Sequence, residues 1–415
     1  MEAAPAAGSK RGLVLLAACL GWMFDGLEMG LFPLVARPAL QQMQPAAGAG
    51  GEAFVGHWMG VITALFLLGA AAGGVLFGWL GDRIGRVRAL TASILTYSLF
   101  TGMVYFVQTP AQLGALRFLA ALGMGGEWAL GVALVMESWP EGRRPQLAGL
   151  IGAAGNAGFL LMALVGLAFS VTQASWRWVA LVGAAPALLT FFIRMSVPES
   201  ERWRQAIAPA RGRPLREVLR PPLLRLTLLA TALSAVVLIG TWALVQWLPL
   251  WADQLTHGTL PGAKAWTQAL SALGAVLGSL AGAWLGDRLG RRPAYALLCL
   301  GSLAACLALF RGISAFGPSF LALTFLVGGV TAAFYGWLPL YLPELFPTRV
   351  RATAQGLAYN GGRVLAAAGA WQMGALMKYF DGNYARAATV VALVYAAGLV
   401  VIWFAPETRN RPLPE

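Results

Sequence analysis

Long apolar runs, broken at charged and turn-forming residues, are the dominant pattern along this chain. A helix needs about 20 apolar residues to cross the hydrocarbon core of a bilayer. Twelve runs come close to or exceed that length, and we number them as spans 1 to 12 in chain order. They lie at residues 12–36, 56–80, 88–107, 112–136, 146–170, 176–196, 222–251, 265–286, 294–312, 317–342, 350–376 and 387–405. Because a segment in lipid must satisfy its own backbone hydrogen bonds, and porin-like alternation is missing, the pattern predicts an all-α membrane protein with twelve transmembrane helices.

Composition restricts the partners of the chain. Its 415 residues are 58% hydrophobic and 11% charged, whereas soluble proteins carry about 25% charged residues. The net charge of +13 would suit a nucleic-acid-binding surface, but the apolar runs leave little room for a soluble basic face. We therefore expect the chain to lie in a lipid bilayer and to bind no nucleic acid.

The basic residues are distributed unevenly between the loops. With both termini inside, 22 Lys and Arg residues fall in cytoplasmic segments, six fall outside and two fall within spans. By the positive-inside rule, this asymmetry predicts a multi-pass protein of the plasma (bacterial inner) membrane with both termini in the cytoplasm. It also supports an even number of spans, since an odd number would disturb the alternation.

Two loop motifs occur twice, which indicates an internal repeat. Gly-Asp-Arg-Ile-Gly-Arg at 81–86 returns at 286–291 with Leu in place of Ile, an offset of 205 residues. Glu-Ser-Trp-Pro at 137–140 returns as Glu-Leu-Phe-Pro at 344–347, an offset of 207 residues. Two halves of six spans therefore run in the same direction. We predict an N-terminal six-helix bundle at 1–197, a cytoplasmic linker at 198–220 and a C-terminal six-helix bundle at 221–415.

Several motifs together resemble the major facilitator superfamily along essentially the whole chain. The loop between spans 2 and 3 reads Gly-Trp-Leu-Gly-Asp-Arg-Ile-Gly-Arg at 78–86, and span 4 carries Arg-x5-Gly-x-Gly at 117–125. Pro-Glu-Ser follows span 6 at 198–200, and Pro-Glu-Thr follows span 12 at 406–408. The resemblance implies the major facilitator fold, in which the substrate site lies between the two repeats near the bilayer midplane.

Two motifs within spans are most similar to the metabolite:proton symporter group, which includes sialate and monocarboxylate carriers. They are Asp-Gly-Leu-Glu at 25–28 and Gly-Met-Gly-Gly-Glu-Trp at 123–128. The loop motifs are also similar to those of sugar porters, but Gly152 stands where sugar porters carry a glutamine in span 5. The resemblance implies a secondary active transporter that moves a small organic acid by alternating access in symport with protons. A sugar or polyol carrier and a drug exporter of the same fold are the alternatives.

The chain offers no cluster that would make a membrane enzyme. Its two histidines lie near predicted loops, and its three cysteines include no pair within disulfide reach. We therefore expect no enzymatic activity, no cofactor and no metal. The expected partners are a small-molecule substrate and protons, and a monomer suffices for this fold.

Four charged residues within spans are the candidates for proton coupling: Asp25, Glu28, Glu127 and Arg117. An ionisable residue in a bilayer costs about 2.5–3.5 kcal/mol on insertion scales, which favours a functional reason for keeping it. A desolvated carboxyl group is stabilised in its neutral form, so it can take up and release protons during transport. The family resemblance implies that Arg117 pairs with Asp25. The alternatives are carboxylates with structural hydrogen bonds only, and an arginine that reaches the outer interface.

Arg363, near the middle of span 11, is the main candidate for binding the substrate. A guanidinium can grip a carboxylate with two parallel hydrogen bonds, and Tyr359 and Asn360 flank it. The alternative is a structural ion pair with Glu28 or Glu127. Three further polar residues are expected at the cavity, with ordinary helix packing as the alternative: Asn156, Gln246 and Tyr335.

The repeated loop motifs predict a cytoplasmic gate of ion pairs that closes the inner side. An isolated surface pair contributes only about 0–1 kcal/mol, so only a network could bias the conformational states. We also expect Asp82 to cap the N-terminus of a neighbouring helix, where the helix dipole favours negative charge, and the family resemblance implies that this neighbour is the helix of span 11. The predicted gate residues are Asp82, Arg83, Arg86, Glu137, Arg144, Asp287, Arg288, Arg291, Glu344 and Arg351.

Overall fold

The computed structural model describes most of the chain. The described residues are 5–43, 51–169, 174–182, 184, 214–256, 259–260, 262–380 and 383–414. Within them, all regular structure is helical. The α-helices, numbered in chain order, are α1 Pro5–Gln42, α2 Gly51–Ile84, α3 Arg86–Met103, α4 Pro110–Ser138, α5 Arg144–Ala168, α6 Trp176–Val182, α7 Pro214–Val218, α8 Leu223–Ala243, α9 Leu248–Leu255, α10 Ala263–Leu289, α11 Arg291–Gly312, α12 Pro318–Ala332, α13 Phe334–Leu345, α14 Arg351–Tyr379, α15 Tyr384–Ala392 and α16 Val394–Val401.

The predicted fold class is confirmed. Ten helical segments of the described chain are long and apolar enough to cross a membrane, and they match ten of the twelve predicted spans. Span 11 forms α14, whose 29 residues include buried polar side chains that lower its hydropathy. Span 6 begins as α6, and the rest of that span lies outside the described residues. Most of the predicted linker at 198–220 also lies outside them, so the domain boundaries stay a prediction.

Glycines let neighbouring helices approach closely within the bundle. A Cβ atom on Gly26 of α1 would lie 1.9 Å from the carbonyl oxygen of Gly155 in α5. A Cβ atom on Gly278 of α10 would lie 1.9 Å from the carbonyl oxygen of Gly329 in α12. Small residues allow such backbone contact between membrane helices, and any larger residue at these positions would force the helices apart.

The helices of the N-terminal half, α1 to α6, and those of the C-terminal half, α8 to α16, meet along two seams. One seam is α2 against α14, and the other is α5 against α10. Both seams are tight at the end of the bundle that carries Arg86, Arg144, Arg291 and Arg351, which we call the arginine-rich end. A Cβ atom on Gly78 of α2 would lie 2.8 Å from the carbonyl oxygen of Ala352. The two groups of helices are therefore closed against each other at the arginine-rich end.

Candidate functional site

Three carboxyl groups from α1 and α4 meet in the interior of the bundle. Asp25 and Glu28 lie one turn apart on α1, and Glu127 lies on α4; all three are at most 2% exposed. Gly21 makes room for this cluster, since a Cβ atom there would lie 2.0 Å from Glu127 Oε1. Asp25 and Glu127 are electrostatic neighbours within this cluster. No donor among the described residues reaches either Glu127 oxygen, so a bond between the two carboxyl groups requires a proton on one of them.

The predicted pair of Arg117 and Asp25 is wrong, because Arg117 pairs with Glu28. The two helices run in opposite directions, and Glu28 lies one turn closer than Asp25 to the end of α1 that meets the start of α4. Glu127 lies ten residues, or about 15 Å, further along α4 than Arg117. The ion pair of Glu28 with Arg117 therefore lies nearer the start of α4, and the carboxyl pair of Asp25 with Glu127 lies further along that helix.

Arg117 does not reach for the membrane surface. It is only 4% exposed, and its guanidinium lies 4.7 Å from the ring centre of Phe32 and 4.6 Å from that of Phe66. Such contacts are favourable when both groups are desolvated. Phe66 also contacts Trp242 of α8 at a ring-centre distance of 6.0 Å. The ring of Phe66 thus connects the Glu28–Arg117 pair with the C-terminal half of the bundle.

Tyr97 of α3 is a member of the cluster that the sequence reasoning missed. Its side chain is fully buried, and Glu127, Asp25 and Glu28 are its electrostatic neighbours. Its hydroxyl group has no partner among the described residues. A tyrosine in an apolar run is an ordinary interfacial or core residue in most proteins, so only the three-dimensional arrangement reveals it beside the carboxyl groups.

Arg363 lies buried on α14 without a carboxylate partner. Its Nη1 donates to Oδ1 of Asn360 at 2.8 Å, and its guanidinium lies 5.1 Å from the ring centre of Tyr359. Its Nε has no partner among the described residues. The ion pair with Glu28 or Glu127, which was the structural alternative, is not formed in the described part of the chain. Asp25 is the acidic residue whose charge acts on Arg363.

Asn360, which accepts from Arg363, is itself held by contacts on three sides. Its Nδ2 donates to the carbonyl oxygens of Gly125 and Gly356, each at 3.1 Å. Gly74 of α2 lies against the same amide, since a Cβ atom there would come within 1.7 Å of it. The side chain that orients Arg363 is therefore fixed by α2 and α4, so any separation of α2 from α14 disturbs it.

Three of the predicted cavity residues line one small cavity between the two groups of helices. The cavity has a volume of about 60 Å³ and is lined by Asn156, Gln246 and Tyr335, among others. Asn156 Nδ2 donates to Ser279 Oγ of α10 at 3.1 Å, and the Tyr335 hydroxyl bonds to that of Thr241 at 2.8 Å. Ligand pockets typically have about 300–1,000 Å³, so a metabolite fits here only after the helices move apart.

Tyr335 connects this cavity with the buried charges. Tyr359 and Arg363 are its electrostatic neighbours, although neither lines the cavity itself. The Tyr335 backbone packs against Gly152 of α5, where a Cβ atom would lie 2.3 Å from the Tyr335 carbonyl oxygen. A glutamine at position 152, as in the sugar porters, would not fit this packing.

At the arginine-rich end, one network of buried ion pairs joins α2, α3, α4 and α14. Asp82 accepts from Arg86 at 2.6 Å and from the backbone N–H of Thr353 at 2.8 Å. The predicted contact of Asp82 with the N-terminus of span 11 is therefore present. Glu137 accepts from Arg86 at 3.2 Å and from Arg351 at 3.3 Å. Arg351 lies in the C-terminal half of the chain and Glu137 in the N-terminal half, so this bond links the two halves.

The second half of the chain repeats the arginine–glutamate pair of this network. Arg291 donates to both oxygens of Glu344, at 2.9 and 2.6 Å, as Arg86 donates to Glu137. Arg144, the counterpart of Arg351, is an electrostatic neighbour of Glu344. The glycine before each arginine makes the arrangement possible: Gly85 has φ of 110° and Gly290 has φ of 96°, a left-handed backbone that favours glycine.

Three predicted gate residues lie outside the buried network, contrary to expectation. Arg83 is exposed and lies 4.7 Å from the ring centre of Trp79, and Arg288 is exposed and lies 5.2 Å from that of Trp284. Asp287, the counterpart of buried Asp82, is also exposed. Adjacent residues of a helix point about 100° apart, so Arg83 cannot share the inward face that Asp82 and Arg86 use.

Glu407 caps the start of α11 in the loop after α16. Its carboxylate accepts from the backbone N–H groups of Arg291 at 3.0 Å and Arg292 at 3.1 Å. Burial tends to raise the pKa of Glu407, but these hydrogen bonds, one from Arg409 and the charge of Arg291 together hold that pKa below its ordinary value. The counterpart in the first half, Glu199, lies outside the described residues.

Comparisons with known proteins cover the whole chain. A family model described as Major Facilitator Superfamily matches residues 14–263. A second model, described as Sugar (and other) transporter, matches residues 252–415.

Similar proteins include transporters of small metabolites. A metabolite transport protein of Haemophilus influenzae is 29% identical and matches 96% of this chain and 97% of its own length. A protein of Cupriavidus pinatubonensis named as a 4-methylmuconolactone transporter is 32% identical, over 97% of this chain and 92% of its own length. A cis,cis-muconate transport protein of Acinetobacter baylyi is 28% identical, over 85% of this chain and 86% of its own length.

Among solved structures, the proton:xylose symporter XylE with a bound bromodeoxyglucose is similar in fold. Its TM-score is 0.83 at 18% identity, and the match covers 98% of each chain. The likeness at this identity concerns the fold.

Proposed function

We propose that this chain, which belongs to the major facilitator superfamily, moves a small organic acid across the membrane by alternating access in symport with protons. Its relatives carry metabolites, and the positive-inside distribution of its basic residues supports a place in the bacterial inner membrane with both termini in the cytoplasm. The arginine-rich end then faces the cytoplasm. A monomer suffices, since both halves of the site come from one chain.

The observation that carries this proposal is the buried guanidinium of Arg363. It is 3% exposed, and within the described residues it has an amide and an aromatic ring beside it but no carboxylate in an ion pair. Asp25 acts on this charge without an ion-pair contact, and a buried N–H group without an acceptor is costly. A ligand carboxylate would supply acceptors for the two parallel hydrogen bonds that a guanidinium prefers.

The charge balance of the site supports proton coupling. Asp25, Glu28 and Glu127 contribute three carboxyl groups, and Arg117 and Arg363 contribute two positive charges. With one proton between Asp25 and Glu127, the cluster is neutral. A bound monocarboxylate would make it negative, and a second proton on the carboxyl pair would restore neutrality. Because a net charge in this dry environment is unfavourable, the anion and the proton favour each other's binding.

The relatives support a carboxylic acid as the substrate. The proteins from Acinetobacter baylyi and Cupriavidus pinatubonensis are named for cis,cis-muconate and 4-methylmuconolactone, and both compounds carry a carboxyl group. Their unsaturated carbon skeletons would also suit the aromatic side chains near Arg363, namely Tyr359 and Tyr335.

The gate geometry supports alternating access. Glu137 and Arg351 join the two groups of helices at the arginine-rich end, and α2 and α14 are in backbone contact there. Opening toward the cytoplasm must break both contacts. It also removes Gly74 of α2 from Asn360, which orients Arg363. Opening of this end and loosening of the grip on the substrate are thereby coupled.

A sugar or polyol carrier is the second candidate, because a sugar transporter model matches residues 252–415. Gln246 and Asn156 line the cavity and could bond to hydroxyl groups. Against a sugar stands Gly152, whose contact with Tyr335 leaves no space for the span 5 glutamine of sugar porters.

Transport by purified protein in proteoliposomes tests the proposal. With an inside-alkaline proton gradient, we expect accumulation of at least one unsaturated or aromatic carboxylate, such as muconate or benzoate, and acidification of the lumen. Xylose and glucose serve as neutral controls. Accumulation of a sugar, with no response to any carboxylate, would favour the second candidate.

A further inference from the structure

Four buried polar residues occur on α14 at four-residue spacing: Arg351, Gln355, Tyr359 and Arg363. Each step of four residues turns about 40° around a helix, so the row winds through about a third of the circumference from Arg351 to Arg363. With a rise of about 1.5 Å per residue, Arg363 and Arg351 are about 18 Å apart along the axis, and Gln355 lies about 6 Å from the level of Arg351. The row thus leads from the central site to the arginine-rich end.

Gln355 is the member of this row whose polar atoms form no hydrogen bond with the described residues of the closed structure. Its side chain is fully buried, and neither Oε1 nor Nε2 has a hydrogen-bond partner within the described chain. Other amides and hydroxyls of α14 are satisfied: Asn360 bonds to two carbonyl oxygens, and Thr353 bonds to Asp82. A buried amide without a partner lowers stability, which is tolerable if its partner comes in another state of the protein.

The residue at the lower end of the row changes its surroundings when the gate opens. Arg351 donates to the carbonyl oxygens of Pro343, Phe346 and Pro414 in its own half, and to Glu137 in the other half. Separation of the halves removes Glu137 from the guanidinium of Arg351. An anion that leaves Arg363 toward this end would then have a second arginine to approach.

We propose that Gln355 is a transient binding position for the substrate carboxylate on its way between Arg363 and Arg351. The inference rests on the proposed transport of an organic acid. Gln355 Nε2 donates to the carboxylate once the arginine-rich end has opened, which satisfies the amide that is unsatisfied in the closed state. A neutral amide binds a carboxylate more weakly than a guanidinium does, so the ligand passes this position without being trapped.

Replacement of the amide by an apolar side chain tests the proposal. In proteoliposomes with full-length protein, we expect Gln355→Leu to bind benzoate or muconate from the side opposite the arginine-rich end within about twofold of wild type, and to transport it at least about tenfold more slowly. Because the unsatisfied amide is gone, its melting temperature without ligand should rise. Gln372→Leu is the matched control, since Gln372 lies exposed on the same helix, and its transport should equal that of wild type.

A charged isostere keeps the proposal testable if the leucine variant folds poorly. Gln355→Glu should transport the anion more slowly as the pH rises, because the new carboxyl group ionises and repels it. A wild-type rate in Gln355→Leu, or a rate in Gln355→Glu with the wild-type pH dependence, would overturn the proposal. If the wild-type protein neither binds nor transports any carboxylate, the proposed function itself fails, and this outcome is separate from a result on Gln355.

Discussion

Arg117 of α4 forms its ion pair with Glu28 of α1, one helical turn beyond Asp25. This register leaves Asp25 beside Glu127 and close to Arg363. The interior of the bundle therefore contains two different units: an ion pair, and a carboxyl pair close to an arginine that forms no ion pair within the described residues. We expect the first unit to stabilise the bundle and the second to take part in the proposed proton coupling.

The Glu28–Arg117 pair should dominate the stability of this region. Glu28→Gln leaves the Arg117 guanidinium buried between Phe32 and Phe66 without a counter-charge. Removing one partner of a buried ion pair costs about 3–5 kcal/mol. We expect a clear loss of thermal stability in detergent by scanning fluorimetry. Asp25→Asn is the control and should cost less, because Asp25 has no ion-pair partner in the described structure. The opposite order of the two melting temperatures would contradict the assigned register.

Asp25→Asn should separate exchange from accumulation. In the variant only Glu127 can carry the transported proton, and the amide introduced at position 25 would donate to the ionised Glu127 carboxylate and so favour its charged form. A proton gradient should therefore drive little net uptake. Exchange of labelled for unlabelled substrate requires no net proton movement and should persist. Both are measured in proteoliposomes with and without an inside-alkaline gradient. Accumulation at the wild-type level in the variant would exclude Asp25 from coupling.

These two predictions depend on features that the sequence reveals unequally. The twelve apolar runs and the repeat follow from patterns along one chain, and the contact of Asp82 with span 11 is implied by the family resemblance. The partner of Arg117 depends on how far α1 is shifted against α4, and a shift of one turn exchanges Asp25 for Glu28. No local pattern specifies that shift, because it depends on the packing of whole helices against one another.

Helical phase explains the other departures. Arg83 and Arg86 belong to the same motif, but only Arg86 points inward, because Gly85 turns the chain between α2 and α3. Asp287 matches Asp82 in sequence and is nevertheless exposed. Tyr97 has no sequence signal at all, since its role depends on the carboxyl groups that α1 and α4 place against it.

Breaking the link between Glu137 and Arg351 should shift the protein toward the state that is open at the arginine-rich end. A hydrogen bond to a charged group contributes about 1.5–3 kcal/mol, so Glu137→Gln should change the equilibrium by about tenfold or more. Spin labels at Arg83 and Arg288 would report it, since both are exposed and lie in different halves. We expect longer label distances by double electron–electron resonance.

The matched control for the gate is Glu217→Gln. Glu217 pairs with Arg349 at the same end, but these side chains are 33% and 45% exposed. A surface pair contributes about 0–1 kcal/mol, so the label distances should stay as in wild type. Equal shifts in both variants would argue against a specific gate at Glu137.

Glu407 should make part of the stability depend on pH. Its folded-state pKa lies below its ordinary value, which is about 4.3 in an unfolded chain. The stabilisation is therefore fully present above that value and is lost as the pH falls through the folded-state pKa. Unfolding of wild type and Glu407→Gln between pH 3 and pH 7 measures it. The wild type should be more stable at neutral pH, and the difference should shrink on acidification; a difference that grows would contradict the hydrogen bonds assigned to Glu407.

Binding of a carboxylate to Arg363 variants is the most direct test of the central claim. Arg363→Lys keeps the charge but loses the planar fork, and Arg363→Gln loses both. Loss of charge-assisted hydrogen bonds worth about 1.5–3 kcal/mol corresponds to about 10- to 100-fold in affinity. Titration of purified wild type and both variants with the transported acid should show weaker binding in Arg363→Lys and weaker still in Arg363→Gln, with folding unchanged. Wild-type affinity for that acid in both variants would contradict the account.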